Sequence, residues 1–328
     1  MKTSRILVIA CLVAVLAVAS AGAAAERPDG PVATFSIVAR DPGTGEWGVG
    51  VASRFFAVGA VVPWAKAGVG AVATQSFMNT TFGPRGLELL DAGLSPEETL
   101  KVLLRADDNP TRRQVGIVAA NGASATYTGA DCIPWAGGRH GADYAVQGNI
   151  LTGEAVVVSM EKAFLETKGT LADRIYAALL AGDAQGGDAR GRQSAAILVV
   201  RAGAGYGGYT DRAIDIRVDD HPNPFGELGR LLTYGQMNYC WNDAWTLFTK
   251  GRAAEALPPM EKAAGLAPDN PEVCYDLAVI RLATGRKAEA LAALRRAVAL
   301  NPKLKAQARG DKDLSPLSGD AAFEALLK

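Results

Sequence analysis

Thr34 is the residue at which nucleophilic chemistry could be built, because it opens an alternating, strand-like run that ends at Ala39. If the chain is cut before Thr34, this residue carries both a hydroxyl and a free α-amine. Such an amine has a pKa of about 8 and can take the hydroxyl proton, directly or through one water. The expected chemistry is attack on an amide. This chemistry needs no histidine, which suits a chain that has only two histidines. The alternative is an ordinary strand threonine, and Ser36, on the same strand face, is a lesser nucleophile candidate.

Residues at the ends of neighbouring strands would line the cleft in front of Thr34. Ser53 and Arg54 follow the returning strand of the first hairpin, and Gln75 ends a later apolar strand. We predict that these three residues orient the nucleophile or contact the substrate. Backbone N–H groups near residues 68–70 or Gln75 would bind the oxyanion of a tetrahedral intermediate. The arrangement requires the Thr34 strand to lie inside its sheet.

Other motifs that could carry chemistry have simpler explanations. Residues 203–208 match GxGxxG but lead into another strand, whereas a dinucleotide-binding loop must open a helix. Residues 159–162 match SxxK, but they lie in a predicted helix and lack the companion motifs of that enzyme class. Neither His140 nor His221 accompanies a GxSxG serine, and no Cys/His cluster has zinc-binding spacing. The aspartates at 219–220 indicate a solvated strand end rather than a cation site, so we expect neither cofactor nor metal.

The order of predicted elements places these residues in a mixed α+β domain. A hairpin that turns at residues 41–45 opens the domain. Further strands are predicted at 60–64, 68–75, 113–119, 124–128, 194–201 and 213–218, and helices at 83–92, 96–106, 154–167 and 171–181. Ser95 and Glu98 form a capping box for the second helix. Two helix pairs set among apolar strands predict helices that cover a stack of sheets from both sides.

Composition and the first residues bear on where the protein acts. The chain of 328 residues balances 34 Lys and Arg against 34 Asp and Glu, so its net charge attracts neither nucleic acid nor anionic lipid.

Residues 1–25 have the layout of a secretory signal, with basic Lys2 and Arg5, an apolar run and a small-residue cleavage region. We expect cleavage and export to a periplasmic or extracellular location, without later membrane contact. An uncleaved anchor is the alternative, and residues 26–33 are predicted to be a linker or propeptide.

The C-terminal part of the chain repeats itself every 34 residues, which is the period of tetratricopeptide repeats. Eight residues recur at this spacing: Gly251, Ala254, Glu255, Ala256, Leu257, Ala263, Leu266 and Pro268 match Gly285, Ala288, Glu289, Ala290, Leu291, Ala297, Leu300 and Pro302. Two repeats are few for an independent solenoid, so this part should pack against the first domain. Cys240 and Cys274 occupy equivalent positions in helices about 8–10 Å apart, and they are predicted to be buried free thiols.

From Thr34 to about Leu232 the sequence also resembles a known bacterial family. The resemblance is carried by TFSIVARD (34–41), GVGVAS (48–53), FAVGA (56–60), VPWAKAGVGAVATQ (62–75), GPRGLELL (83–90), RQ (113–114), GN (148–149) and DIRVDDHP (215–222). The family is domain of unknown function 1028, which is placed in the Ntn-hydrolase superfamily and has no established activity. The resemblance implies an αββα sandwich. It also implies that Thr34 matches the residue that loss of an initiator methionine exposes in many members.

Together these patterns predict two domains. Residues 34–236 would form an αββα Ntn-hydrolase-like sandwich, and residues 237–328 a small all-α tetratricopeptide repeat domain with a C-terminal cap. The predicted function is exported hydrolysis of a small amide or a peptide by Thr34, which requires cleavage between Ala33 and Thr34. The alternative is a non-catalytic envelope protein that binds a protein partner through its repeats. Neither hypothesis involves nucleic acid.

Overall fold

The structure, a computed structural model, describes residues 34–328, so the predicted signal segment 1–25 and linker 26–33 lie outside the described residues. The first part of the described chain contains strands β1 (Thr34–Asp41), β2 (Glu46–Ser53), β3 (Pro63–Lys66), β4 (Gly70–Ser76), β5 (Arg113–Ala119), β6 (Ser124–Thr128), β7 (Gly137–Gly141), β8 (Tyr144–Asn149), β9 (Ser194–Val200) and β10 (Arg212–Val218). Its helices are α1 (Phe82–Asp91), α2 (Pro96–Arg105), α3 (Ala155–Glu166) and α4 (Leu171–Ala184). The predicted first hairpin and both helix pairs are present.

These strands form two antiparallel sheets. One has six strands in the order β10-β9-β2-β1-β8-β7, and the other has four in the order β3-β4-β5-β6. Strand β1 therefore lies inside its sheet, between β2 and β8, as the hypothesis for Thr34 requires.

The alternation of residues along β1 decides what each of its faces contacts. Phe35 and Ile37 point to the outer face, where α3 and α4 cover the six-stranded sheet. Val38 points inward, where the two sheets pack face to face in an apolar layer with Val49 and Val51. Helices α1 and α2 cover the outer face of the four-stranded sheet. The predicted α+β class and the stack of sheets between helix pairs are confirmed.

Side chains fix the starts of two helices, and the sequence analysis predicted one of these two caps. Ser95 Oγ accepts a hydrogen bond from the Glu98 backbone N–H, and Glu98 accepts one from Ser95, which completes the predicted capping box of α2. A second capping box, formed by Thr170 and Asp173, starts α4. Each N-cap satisfies backbone donors that have no partner inside their helix.

Three strands differ from the prediction. The strand expected at 60–64 is displaced toward the C-terminus, because Val58–Ala60 forms a 3-10 turn and strand β3 spans Pro63–Lys66. Strands β7 and β8 were not predicted. Strand β8 pairs with β1 along its length, so the sequence analysis did not predict one of the two strands that neighbour the Thr34 strand.

The C-terminal part is helical, and its helices repeat as predicted. They are α5 (Pro224–Thr249), α6 (Ala253–Leu266), α7 (Pro271–Ala283), α8 (Lys287–Leu300), α9 (Leu304–Gly310) and α10 (Ala321–Leu327). The bounds of α6 and α8 differ by the 34-residue period. Cys240 and Cys274 are buried free thiols.

Helix α5 belongs to both parts of the chain. Near its start Phe225, Leu228 and Leu232 are buried in the core beneath the six-stranded sheet, whereas Met237 and Ala244 are buried in the repeat core. The predicted boundary after residue 236 thus falls inside a continuous helix. Between residues 34 and 328, no helix combines the length and apolar character needed to cross a membrane.

Candidate functional site

A row of polar side chains crosses four adjacent strands where β1 begins. The strand registers place Asn149, Thr34, Ser53 and Ser194 side by side on β8, β1, β2 and β9. All four side chains are buried. Thr34 Oγ1 donates a hydrogen bond to Ser53 Oγ at 3.2 Å, so the structure brings together the predicted nucleophile and its nearest predicted neighbour.

The four-stranded sheet contributes amide side chains to the same layer. Gln75 Nε2 donates to the backbone oxygen of Thr34 at 3.2 Å, so this predicted residue also lies at the site. Ser36 Oγ donates to Gln75 Oε1 at 2.6 Å and accepts from Gln147 Nε2 at 2.6 Å. These contacts join β1, β4 and β8, and they make one end of the layer between the sheets polar, whereas the interior of that layer is apolar.

Gln114 is the hub of this buried polar cluster, which comprises Thr34, Ser36, Ser53, Gln75, Gln114, Gln147 and Asn149. Its Oε1 accepts hydrogen bonds from Gln75 Nε2 at 2.8 Å and from Asn149 Nδ2 at 3.0 Å. Its Nε2 donates to Thr128 Oγ1 at 2.9 Å and to the Gly148 carbonyl at 2.7 Å. Neutral amides that pair in this way can be buried without leaving a charge uncompensated.

Two polar atoms beside the cluster lack hydrogen-bond partners among the described residues. They are Asn149 Oδ1, across the strand pair from Thr34, and Ser76 Oγ, next to Gln75. Ser76 and Ile150, the residue after Asn149, have positive φ values of 68° and 50°. Unpaired buried acceptors and strained backbone are both costly, and strained backbone is concentrated at sites that bind a ligand or reacting group.

Space for the cluster is made by Gly116 on β5. A Cβ atom at this position would lie 2.1 Å from Gln147 Oε1. Any larger residue would therefore displace the Gln147 amide, which donates a hydrogen bond to Ser36 Oγ. The close approach of β5 and β8 depends on this glycine.

Arg54 does not join the cluster. It is exposed, and its Nη1 donates to the Arg190 carbonyl at 2.6 Å. Its backbone N–H donates to Asp188 Oδ2 at 2.7 Å, and Asp188 also binds the Arg190 guanidinium. Arg54 thus braces the 188–191 loop at the rim of the site, and its guanidinium is directed at that loop.

A cavity of about 390 Å³ opens next to Ser53. Its polar wall includes Ser53, Ser194, Asp188 and the ion pair between Arg192 and Asp183, in which two hydrogen bonds of 2.6 and 2.8 Å form. The Asp183 hydrogen bonds raise the pKa of Arg192. Thr34 does not border this cavity and is fully buried in the full-length chain.

The loop after Gln75 is held by a second polar group. Asp107 accepts hydrogen bonds from Arg113 Nε at 3.0 Å and from Asn79 Nδ2 at 2.7 Å. Burial of Asp107 opposes ionisation, but the hydrogen bonds from Arg113 and Asn79 outweigh it and lower the carboxyl pKa. Thr74 Oγ1 donates to the Asn79 carbonyl at 3.2 Å, which ties this loop to β4.

One predicted oxyanion position does not fit. Residues 68–70 lie at the start of β4, whereas Gln75, which contacts Thr34, lies near its end. At about 3.3 Å per residue the two ends are roughly 16 Å apart. The 68–70 backbone therefore cannot bind an oxyanion formed at Thr34. The Gln75 backbone stays compatible with that role.

The prediction from residue types missed Gln114, Gln147 and Asn149 as members of the site. The available signal was their position, since each is a side-chain amide within or ending an otherwise buried strand. Such amides are unfavourable in a strand interior unless they are paired. In residues 34–328, no group of three or more His, Cys, Asp or Glu side chains has the arrangement of a metal site.

Comparisons with known proteins agree with this architecture. Residues 34–228 match the model of a family described as "Family of unknown function (DUF1028)", and residues 247–310 match a tetratricopeptide repeat model. Among solved structures, the chain is similar to the crystal structure of a Silicibacter pomeroyi protein assigned to DUF1028. The two share 30% identity and a TM-score of 0.57 over 62% of this chain and 89% of the other. No curated protein matches the chain.

Proposed function

The chain belongs to the DUF1028 family, whose function is unknown, and from this premise we propose that its first domain is an exported amidohydrolase of the Ntn type. In this proposal the sandwich has the Ntn-hydrolase fold, and Thr34 is the nucleophile once the bond to Ala33 has been cut. The substrate is a small amide or a peptide. The observation that carries the proposal is the Thr34 hydroxyl at the start of an inner strand, hydrogen-bonded to Ser53 within a polar layer that has unpaired acceptors.

The proposed reaction has two steps. Thr34 Oγ1 attacks the amide carbonyl carbon while its proton passes to the new α-amine of the same residue. The C–N bond then breaks, the amine leaves with that proton, and an ester on Thr34 remains. Water, deprotonated by the same α-amine, hydrolyses the ester and releases the acid and free Thr34. Each step conserves protons without a histidine, metal or cofactor.

Neighbouring residues have distinct proposed roles. Ser53 Oγ accepts the Thr34 hydroxyl hydrogen bond and fixes its direction. Asn149 Oδ1, which no described residue satisfies, would accept a hydrogen bond from the protonated α-amine. Gln75 positions the Thr34 backbone, and Arg54 positions the loop that borders the cavity beside Ser53. Substrate would approach through that cavity.

Burial makes processing a requirement of the mechanism. Because Thr34 is fully buried in the full-length chain, an uncut chain offers neither an amine nor access to the hydroxyl. Cleavage after Ala33 would supply the amine. Export is part of the proposal, and the bond between Ala33 and Thr34 is cut either directly by signal peptidase or by self-processing after removal of residues 1–25.

The test is to produce the chain with its own leader in an exporting host and determine the mature N-terminus by intact mass and N-terminal sequencing. We expect a chain that begins at Thr34. A mature terminus near Glu26 would exclude the terminal-amine mechanism. The processed protein, with Thr34→Ala and Thr34→Ser variants, is then assayed on a panel of chromogenic anilides and dipeptide amides. Activity in the Ser variant and none in the Ala variant would identify the nucleophile.

A second candidate function is protein binding. The tetratricopeptide match to residues 247–310 suggests protein–protein interaction, because stacked repeats form concave surfaces that take peptides or helices. A protein that keeps its unprocessed terminus and still captures a partner would favour this function over hydrolysis.

A further inference from the structure

A cleft lies where the sandwich meets the repeats, far along the chain from Thr34. It has a volume of about 560 Å³ and lies between the glycine-rich loop that joins β9 to β10 and the helices α5 and α7. The loop is fastened to α5 by Asn242, whose Oδ1 accepts from the Gly207 N–H at 3.1 Å and whose Nδ2 donates to the Ala204 carbonyl at 3.3 Å. Both walls are therefore held in place relative to each other.

Aromatic side chains dominate the walls of the cleft. Trp241 and Trp245 lie one helical turn apart on α5, and Tyr206 faces them from the loop. Tyr206 is 86% exposed and Trp245 is 36% exposed, which is unusual for large aromatic groups. Exposed aromatic faces that converge on one cavity mark an interaction site, because their π-faces bind apolar groups and cations.

One wall carries a carboxylate without a counter-ion. Asp276 on α7 is partly buried, and its Oδ2 accepts a hydrogen bond from Trp241 Nε1 at 2.7 Å. Within residues 34–328 no basic group pairs with it, and its charged neighbours, Glu272 and Asp311, are also acidic. Burial first, and then these two neighbours, raise the carboxyl pKa of Asp276 to about 6.

Arg212, which lines the cleft, and Arg201, which contacts Tyr239 in its wall, do not supply that missing charge. Arg212 pairs with Asp215, and Arg201 pairs with Asp243 at 3.2 Å. Arg201 also lies over the Tyr239 ring, 5.1 Å from its centroid. Asp215 and Asp243 are thus each paired with an arginine, whereas Asp276 has no basic partner among residues 34–328.

We propose that this cleft binds an extended peptide segment of a partner protein through one lysine or arginine side chain, which lies against Trp241, Trp245 and Tyr206 and pairs with Asp276. A cation is the group that aromatic faces and a lone carboxylate both favour. A peptide, rather than a free amine, fits the adjacent surface. Asn238, one turn before Asn242 on the same helix, lines the cleft with an exposed side chain that can pair with peptide groups.

This binding does not depend on whether Thr34 is catalytic. The cleft is formed by residues 204–276, and none of the cluster residues around Thr34 lines it. Failure of the amidohydrolase proposal would leave the cleft proposal intact, and the reverse holds as well.

The experiment is to pan a random dodecapeptide phage library against the immobilised full chain, with the Asp276→Asn variant used for counter-selection. Selected peptides are synthesised with a fluorophore, and their dissociation constants are measured by fluorescence polarisation. We expect selected peptides to share a Lys or Arg. Replacement of that residue by norleucine should weaken binding about tenfold, and the Asp276→Asn variant should show a similar loss.

Two tyrosines of the same loop provide a matched pair of variants. Tyr206 lines the cleft, whereas Tyr209 is 90% exposed and does not line it. Tyr206→Ala should weaken binding about threefold to tenfold, and Tyr209→Ala should leave it unchanged. Both side chains are exposed, so both variants should fold.

Three outcomes would overturn the proposal. The first is a selection with no enrichment over uncoated wells, and the second is enrichment of neutral or acidic peptides. The third is a basic peptide that binds the Asp276→Asn and Tyr206→Ala variants as tightly as it binds the original chain.

Discussion

The buried polar cluster around Thr34 and the aromatic cleft beside Asp276 place polar groups in the protein in opposite ways. In the cluster, neutral amides and hydroxyls from both sheets pair with one another and are fully buried. In the cleft, a carboxylate that lacks a counter-ion is partly open and is surrounded by exposed rings. The cluster is buried, whereas the cleft is open to solvent.

This difference predicts that substitutions in the cluster lower the stability of the fold, whereas removal of the charge in the cleft raises it. The amide side chains of the cluster also hold the two sheets together, so replacing one of them should destabilise the fold. Asp276 instead is ionised in a place that disfavours charge, so its loss should stabilise the fold. Four substitutions, ordered from the largest expected effect to the smallest, test this comparison.

Gln114→Leu should have the largest effect. It removes the acceptor of Gln75 Nε2 and Asn149 Nδ2 and the donor to the Gly148 carbonyl, and it leaves all three buried. At about 1–3 kcal/mol for each stranded group, we expect a loss of roughly 4 kcal/mol in the free energy of unfolding, measured with urea. The control is Gln193→Leu, at a partly exposed residue whose amide is bonded to Asp220, which should change little. Equal small losses in both variants would show that the cluster does not stabilise the sandwich.

Gly116→Ala tests how tightly the cluster is packed. The new methyl group would overlap Gln147 Oε1, so we expect a loss of about 2 kcal/mol in the free energy of unfolding. Combining it with Gln147→Ala removes the clash, and the two losses should then be less than additive. Strict additivity in the double-mutant cycle would mean that the two residues do not compete for the same space.

Asp276→Asn should stabilise the protein and do so only at higher pH. Burial, followed by Asp311 and Glu272, raises the pKa of Asp276 from its unfolded value to about 6. Ionisation then costs stability as pH rises from about 4 through 6, while below that range the protonated side chain carries no cost. After discounting for partial exposure, the variant should gain about 1 kcal/mol at pH 8 and nothing at pH 4.

The check on this gain is urea unfolding of both proteins across that pH range. Glu166→Gln, at an exposed residue at the end of α3, removes the same charge and should leave the slope of stability against pH unaltered. A variant that loses stability at pH 8 would mean that the Trp241 hydrogen bond outweighs the cost of burial at Asp276.

Tyr206→Ala should have the smallest effect on stability, within about 0.5 kcal/mol, because the ring is exposed on a loop. Thermal unfolding of this variant beside Tyr209→Ala measures it. A large loss of thermal stability in the Tyr206 variant alone would assign its ring a structural role in joining the loop to α5.

The fold could be predicted wherever local patterns were strong. Alternation indicated the first hairpin, the capping box located α2, and the 34-residue period identified the repeats. Strand β8 could not be found in this way, because Gln147 and Asn149 break its apolar pattern and gain partners only from the other strands. Strand β7 reads Gly-Gly-Arg-His-Gly and carries no apolar alternation at all.

The site residues also divide into those that the sequence predicted and those that it could not predict. Thr34, Ser53 and Gln75 were predicted because strand ends in one sheet stack converge, and the structure brings them together. Arg54 follows Ser53 directly, yet its side chain turns to the 188–191 loop, a contact that sequence spacing does not encode. The cleft was not predicted, because Tyr206 and Asp276 come together only through the orientation of α5.

That orientation has a consequence for how the two parts of the chain can be recombined. Helix α5 runs unbroken from the sandwich core, at Leu228, into the repeat core, at Ala244, and Gln236 Nε2 ties its middle to Asp173 Oδ1 at 2.6 Å. Each residue of an α-helix turns by about 100° and rises about 1.5 Å. One inserted residue after Gln236 would therefore rotate the repeats by about 100° relative to the sandwich.

Seven inserted residues would nearly restore the helical phase, because about 700° differs from two full turns by about 20°, but they would carry the repeats roughly 10 Å outward. A chimera that exchanges the repeat array must therefore preserve the length of α5 as well as the sequence on either side of it. The length of α5 therefore determines the angle at which the repeats pack against the sandwich.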